Sequence, residues 1–115
     1  MPLSPRRLLP LLAIATTCVI GGCPPRGTAH VAEVSPAMVD YAAKQWPGSD
    51  PLQLQRGRAL LTSARCTECH GLPSPTSESA EKWPGIVTRM GKKAEMDATE
   101  REDLLRFILA ARTAQ

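Results

Sequence analysis

Five consecutive residues, Cys66-Thr67-Glu68-Cys69-His70, carry the most specific chemistry in this sequence of 115 residues. Two thiols at C-x-x-C spacing can each bond one vinyl group of a haem, while the histidine that follows turns its imidazole to an axial position on the iron. The pentapeptide therefore reads as a c-type haem attachment site. One haem c, covalently held through Cys66 and Cys69 with His70 as a metal ligand, is the expected cofactor. A thioredoxin-like redox pair would need a βαβ context, which the sequence lacks. Half of a zinc site would need two more Cys or His at ligand spacing, and the remaining candidates are Cys18, Cys23 and His30.

The sixth iron position then decides function. A thioether there raises the reduction potential, a second imidazole lowers it, and an open position admits small ligands. Beyond the first residue the methionines are Met38, Met90 and Met96. Met90 ends an apolar helical face and precedes Gly91, where backbone can bend close to a macrocycle. Met96 sits in a more polar Lys-Lys-Ala-Glu-Met-Asp stretch. His30, or no protein ligand at all, are the other options.

The elements that must position these groups belong to one small domain. Residues 1–22 read as a lipoprotein-type signal peptide: Arg6-Arg7 form a positive start, residues 8–20 are mostly apolar, and Gly21-Gly22 precede Cys23. The stretch is too short for an ordinary transmembrane helix. Ile20-Gly21-Gly22-Cys23 matches a lipobox, which makes Cys23 the expected lipidation site, and two or more acyl chains give stable anchoring without a membrane span. Residues 23–49 read as a tether with a short helix, begun by Ser35-Pro36 and closed by Trp46-Pro47-Gly48. That helix is either packed on the domain or an ordered part of the linker.

Residues 50–115 hold the domain itself. Asp50-Pro51 starts a helix to about residue 65, with Leu52, Leu60, Leu61 and Ala64 toward the core and Arg56, Arg58 and Arg65 toward solvent. Gly57 inside it costs about 1 kcal/mol relative to alanine, which calls for the close approach of another helix. A Pro- and Ser-rich loop over 71–77 offers the carbonyls of Leu72, Pro73 or Ser74 to the second ring N–H of His70. Trp83, Ile86, Val87 and Met90 then follow i, i+3, i+4, i+7 spacing in a helix over 80–92, with Pro84 near its regular start and a break near Gly91. A final helix starts between Asp97 and Glu102, capped by Thr99 with Glu102 or by Asp97 with Glu100. Its apolar stripe runs from Leu104 to Ala111, with Arg101, Asp103 and Arg106 outside. The fold class is all-α.

Composition agrees with a cofactor-centred domain. Only Tyr41, Trp46, Trp83 and Phe107 are aromatic, and a chain of this size often needs a staple or a cofactor. Net charge is +3 and falls to +1 without Arg6 and Arg7, so nothing argues for nucleic acid as a partner.

Over residues 50–112 the chain resembles class I cytochromes c. It is most similar to the short monohaem domains of bacterial periplasmic dehydrogenases, which carry a tryptophan followed by Val-x-Arg-Met, here Trp83 and Val87-Thr88-Arg89-Met90. The resemblance implies a helical domain wrapped around one haem, Phe107 crossing against Gly57, and Met90 as the distal ligand. Two intervals depart from the family: Gly57 lies nine residues before Cys66, one more than usual, and His70 to Met90 is short. The expected function is electron transfer, not enzymatic turnover, by an exported, periplasmic, lipid-anchored cytochrome acting between a dehydrogenase or respiratory complex and an acceptor, with redox proteins as partners. Arg89, Lys92 and Lys93 would form a docking rim, or simply a solvated helix end. The alternatives are a ligand-sensing or peroxidase-like haem protein with an open sixth position, and an assembly subunit whose haem only stabilises the fold.

Overall fold

The protein is described here by a computed structural model covering residues 30–68 and 71–114. The expected signal segment, Cys23, Cys69 and His70 lie outside the described residues. Every regular element among the described residues is helical: α1 Pro36–Gln45, α2 Gln53–Leu61, α3 Ala64–Thr67, α4 Trp83–Lys93 and α5 Ala98–Ala111, which tightens into a 3-10 turn over Arg112–Ala114. None is long and apolar enough to cross a membrane.

The crossing of α2 over α5 sets the frame. Gly57 is buried, and a Cβ placed on it would lie 2.1 Å from the carbonyl oxygen of Asp103 and 2.7 Å from Cβ of Phe107. Only glycine lets two helix backbones approach this closely, so the helix-propensity cost of Gly57 is offset by the contact that it permits. Phe107 is fully buried beneath it, with Leu54, Leu61, Leu104 and Ile108 around it.

The same crossing corrects the outward placement of Asp103. Asp103 lies one turn before Phe107 on the stripe that meets α2, and its residue exposure is only 3%. Its carboxylate is satisfied by α2: Gln53 Nε2 donates to Oδ1 at 2.9 Å and Arg56 Nε to Oδ2 at 2.7 Å. A buried charge is tolerable when it is paired and hydrogen-bonded in this way. Arg56 also reaches Asp50 at 2.5 Å, and both carboxylates raise the guanidinium above its ordinary value, Asp103 most.

The helix predicted over 51–65 is in fact two. Asp50 caps its start by accepting from the amide of Leu52 at 2.8 Å, so Pro51 and Leu52 form a turn and α2 begins at Gln53. This turns Leu52 outward and gives its core place to Leu54. The helix ends at Leu61 because Thr62 and Ser63 return their hydroxyls to the backbone, Thr62 to the carbonyl of Arg58 at 3.0 Å and Ser63 to that of Leu60 at 2.6 Å. Ser63 is extended, α3 restarts in a new direction, and Ala64 is exposed rather than in the core.

Helix α1 is a packing helix. Ser35 accepts from the amide of Met38 at 3.3 Å with Pro36 in the first turn, and Met38 and Ala42 enter the core, Met38 completely. Gly48 at φ 78° closes the turn that follows. Trp46 stands edge-on to Tyr41 at 5.8 Å and lies under the Arg106 guanidinium at 5.0 Å, tying α1 to α5.

Helix α4 does not break at Gly91. Gly91 is buried against the Arg101 side chain, and the helix runs to Lys93 before closing in a Schellman turn, with the Met96 amide donating to the Gly91 carbonyl at 2.8 Å. The left-handed residue of that turn is Glu95, at φ 56°. Glu95→Gly should therefore stabilise the fold by about 0.5–1 kcal/mol, because glycine takes this conformation without steric cost. A denaturant midpoint at or below that of the wild type would contradict this. Helix α5 starts one residue after Asp97, in a capping box of Asp97 with Glu100 rather than Thr99 with Glu102; Glu102 instead pairs with Arg106 one turn on.

Candidate cofactor cleft

Cys66 sits on α3, whose short turn is fixed from both sides. The backbone closes it through the amides of Cys66 and Thr67, each donating to the Ser63 carbonyl at 3.1 Å. Arg65, next to the cysteine, reaches across to the α4–α5 junction. Its Nη1 meets Glu100 Oε1 at 2.8 Å, Nη2 meets Oε2 at 3.2 Å, and Nε and Nη2 both donate to the carbonyl of Ala94, at 3.1 and 2.9 Å. A planar guanidinium with this many partners holds direction as well as charge. Arg65 is exposed, as the sequence reading has it, but its partners lie some thirty residues away, so no local pattern shows them.

Glu100 serves two purposes, since its Oε2 also accepts from the amide of Asp97 at 3.0 Å. Hydrogen bonding from Arg65, and then from the Asp97 amide, lowers its pKa. A carboxylate whose folded-state pKa is depressed contributes stability that is fully present above its unfolded value and is lost as pH falls through the folded value. The expected result is an acid-unfolding profile that begins below about pH 4.5, near the ordinary glutamate value, and is shallower in Glu100→Gln. Identical profiles for the two proteins would refute the assignment.

The opposite wall comes from α4, where the predicted face is observed: Trp83 and Val87 are buried and Ile86 and Met90 half-buried. Pro84 lies in the first turn, as it must where an amide proton is not needed. The loop after the C-x-x-C-H motif supplies Leu72 and Pro73. It is held by its own hydroxyls, with the amide of Ser77 (3.0 Å) and its Oγ (2.7 Å) both donating to the Ser74 carbonyl. Of the three carbonyls considered for the second ring nitrogen of His70, that of Ser74 thus has both lone pairs engaged.

Two further groups pin this loop. The indole Nε1 of Trp83 donates to the Pro75 carbonyl at 2.9 Å, and Arg112 Nη1 donates to the same oxygen at 2.7 Å and to the carbonyl of Glu78. Arg112→Ala should cost about 1.5–3 kcal/mol, the usual range for a hydrogen bond from a charged group. Arg112→Lys should recover only part of this, since an ammonium lacks the planar fork. Thermal melts of the three proteins check this, and an unchanged midpoint in Arg112→Ala would reject the clamp.

Between these elements lies an apolar cleft of about 360 Å³ of empty space, open mouth included, lined by Leu61, Cys66, Leu72, Pro73, Trp83, Ile86, Val87, Met90, Leu104 and Ile108. The C-x-x-C-H cysteine and the thioether of Met90 thus share one cavity. Among the described residues the walls carry no Asp, Glu, Lys, Arg or His, and the indole N–H of Trp83 is bonded to the Pro75 carbonyl. Such a lining offers an apolar surface to a flat ring system.

Met96 does not line this cleft. It is 4% exposed, packed in the turn beside Gly91. Met38 is interior filler under α1, and His30 is exposed. Arg89, Lys92 and Lys93 are exposed at the end of α4 and have no ion-pair partner among the described residues. The described residues contain no cluster of three or more Cys, His, Asp or Glu able to hold a bare metal ion. No family model, curated protein or solved structure matches the chain.

Proposed function

We propose that the chain is an exported monohaem c-type cytochrome, tethered to a membrane through a lipid on Cys23, which passes single electrons between a periplasmic dehydrogenase or respiratory complex and an acceptor. The observation that carries this reading is the cleft shared by Cys66 and Met90, apolar in its described lining. Haem bound there would supply a one-electron Fe(III)/Fe(II) couple.

The residues divide the remaining work. Cys66 and Cys69 would hold the macrocycle covalently, and His70 and Met90 would supply imidazole and thioether to the metal. Leu61, Leu72, Trp83, Ile86, Val87, Leu104 and Ile108 keep the site dry, which favours the less charged, reduced state and raises the potential. Arg65 with Glu100, and Arg112 with the Pro75 carbonyl, fix the segments on either side of the attachment motif. Arg89, Lys92 and Lys93 present positive charge beside Met90 to an acidic partner, which speeds encounter at low salt.

An absorption spectrum and intact mass of the protein matured in a host able to attach haem test the reading. The expected result is one covalent haem, lost in Cys66→Ala/Cys69→Ala, with low-spin spectra in both oxidation states and no shift on adding carbon monoxide. A high-spin ferric spectrum with ready carbon monoxide binding would move the protein to the sensing or peroxidase-like class. Absence of covalent haem would end the proposal.

A further inference from the structure

The chain is fastened to the body well before α1. Val31 is buried, and Arg58 on α2 holds the segment around it: Nε donates to the Ala32 carbonyl at 3.0 Å, and Nη2 to the Val31 carbonyl at 3.3 Å and to Glu33 Oε1 at 2.6 Å. Eight residue steps separate Cys23 from Val31, at most about 29 Å fully extended. A lipid on Cys23 therefore keeps the body against the membrane surface.

A second groove lies between α1 and α2. Leu54, one turn before Arg58 on α2, forms its floor with Ala42 of α1. Val39, Ala43, Pro51, Gln53 and the 48–50 turn complete a groove of about 480 Å³ of empty space, mouth included. Val39 at 42% and Leu52, next to the lining Pro51, at 56% are the exposed large hydrophobic side chains of the described residues. Both flank this one groove rather than being scattered singly, and paired exposure around a concavity marks an interaction site. The nearby charges balance, Asp40 against Lys44 and Asp50 against Arg56, so the face suits an uncharged, apolar partner.

We infer that the α1–α2 groove is the face laid on the bilayer, with Val39 and Leu52 entering the boundary between headgroups and acyl chains. The inference rests on the lipid-anchor part of the proposed function and not on the haem part. The short reach from Cys23 holds the body at the lipid, and Arg58, which binds the strapped segment, stands one turn from Leu54 on α2, so this face lies near the point where the anchored chain joins the body. None of the groove residues lines the cofactor cleft; Leu54 and Leu61 stand about 10 Å apart along α2. Contact with the membrane thus leaves the cleft and the Arg89, Lys92 and Lys93 rim uncovered.

The test is deuterium uptake by the full lipidated protein on zwitterionic phosphatidylcholine vesicles, compared with the lipidated Val39→Asp/Leu52→Asp variant on the same vesicles. Intact mass first establishes the acyl chains on Cys23. The expected result is uptake over residues 36–52 slower by about fivefold or more in the wild type, unchanged at high salt, with residues 83–93 alike in both proteins. Equal uptake over 36–52 in two acylated, vesicle-bound proteins would overturn the groove assignment and leave the anchor standing. Protection over 83–93 instead would show the cofactor face against the membrane, and protection that rises with protein concentration would assign the groove to a second copy of the chain; either overturns the inference. A mass without acyl chains would remove the anchor and this inference together, leaving the haem reading intact.

Discussion

Gly57→Ala is expected to destabilise the protein by about 3 kcal/mol or more, despite the roughly 1 kcal/mol by which alanine favours an isolated helix. The new Cβ would stand 2.1 Å from the backbone oxygen of Asp103 and 2.7 Å from its carbonyl carbon. A backbone carbonyl has no alternative rotamer, so α2 and α5 must separate, and the Asp103 pairing with Gln53 and Arg56 loosens with them. For a domain whose total stability is of order 5–15 kcal/mol, this is a large fraction. Phe107→Ala alone should cost about 3–5 kcal/mol by leaving a cavity. Combined with Gly57→Ala it should give no rescue, because the closest clash is with Asp103 and not with the ring. Denaturant midpoints of the four proteins decide this; a Gly57→Ala midpoint close to that of the wild type, or rescue by Phe107→Ala, would show that the helices do not meet as described.

The crossing was legible because Gly57 violates helix propensity, and such a violation demands a packing reason. The face from Trp83 to Met90 was legible from its period, and the starts of α1 and α5 from Ser35-Pro36 and Asp97-Glu100. Asp103 was read as solvent-facing because an aspartate on a helix is usually exposed. Its burial depends on Gln53 and Arg56, fifty and forty-seven residues away, and only the α2–α5 geometry brings these together. Leu52 and Leu54 exchanged places for a local reason: the Asx turn at Asp50 delays the helix by two residues and rotates its faces. The partners of Arg65 and Arg112 were hidden for the same reason, although Arg65 is exposed as read. Each acts through carbonyls and carboxylates distant in sequence, and no spacing rule encodes such a partner. At the cleft, the cysteine motif and the methionines were visible at once, whereas the proposed choice of Met90 over Met96 rests on the turn that buries Met96 beside Gly91.

That choice yields the second large effect. In the matured, haem-bearing protein, Met90→Ala is expected to abolish the weak band near the red end of the oxidised spectrum and to lower the reduction potential, because a thioether ligand favours the reduced iron. Its cost to folding should be small beside this, since Met90 is half-buried on the cleft wall rather than packed in the interior. Met96→Ala should do the reverse. Removing a side chain only 4% exposed leaves a cavity costing about 2–5 kcal/mol, while the red band stays in whatever fraction folds. The pair separates ligation from packing, because one variant moves the spectrum and the other moves the melting midpoint. If the band survives in Met90→Ala and is lost in Met96→Ala, the Schellman turn around Glu95 must open to deliver Met96 to the cleft. The cleft as described would then be a state that the cofactor remodels.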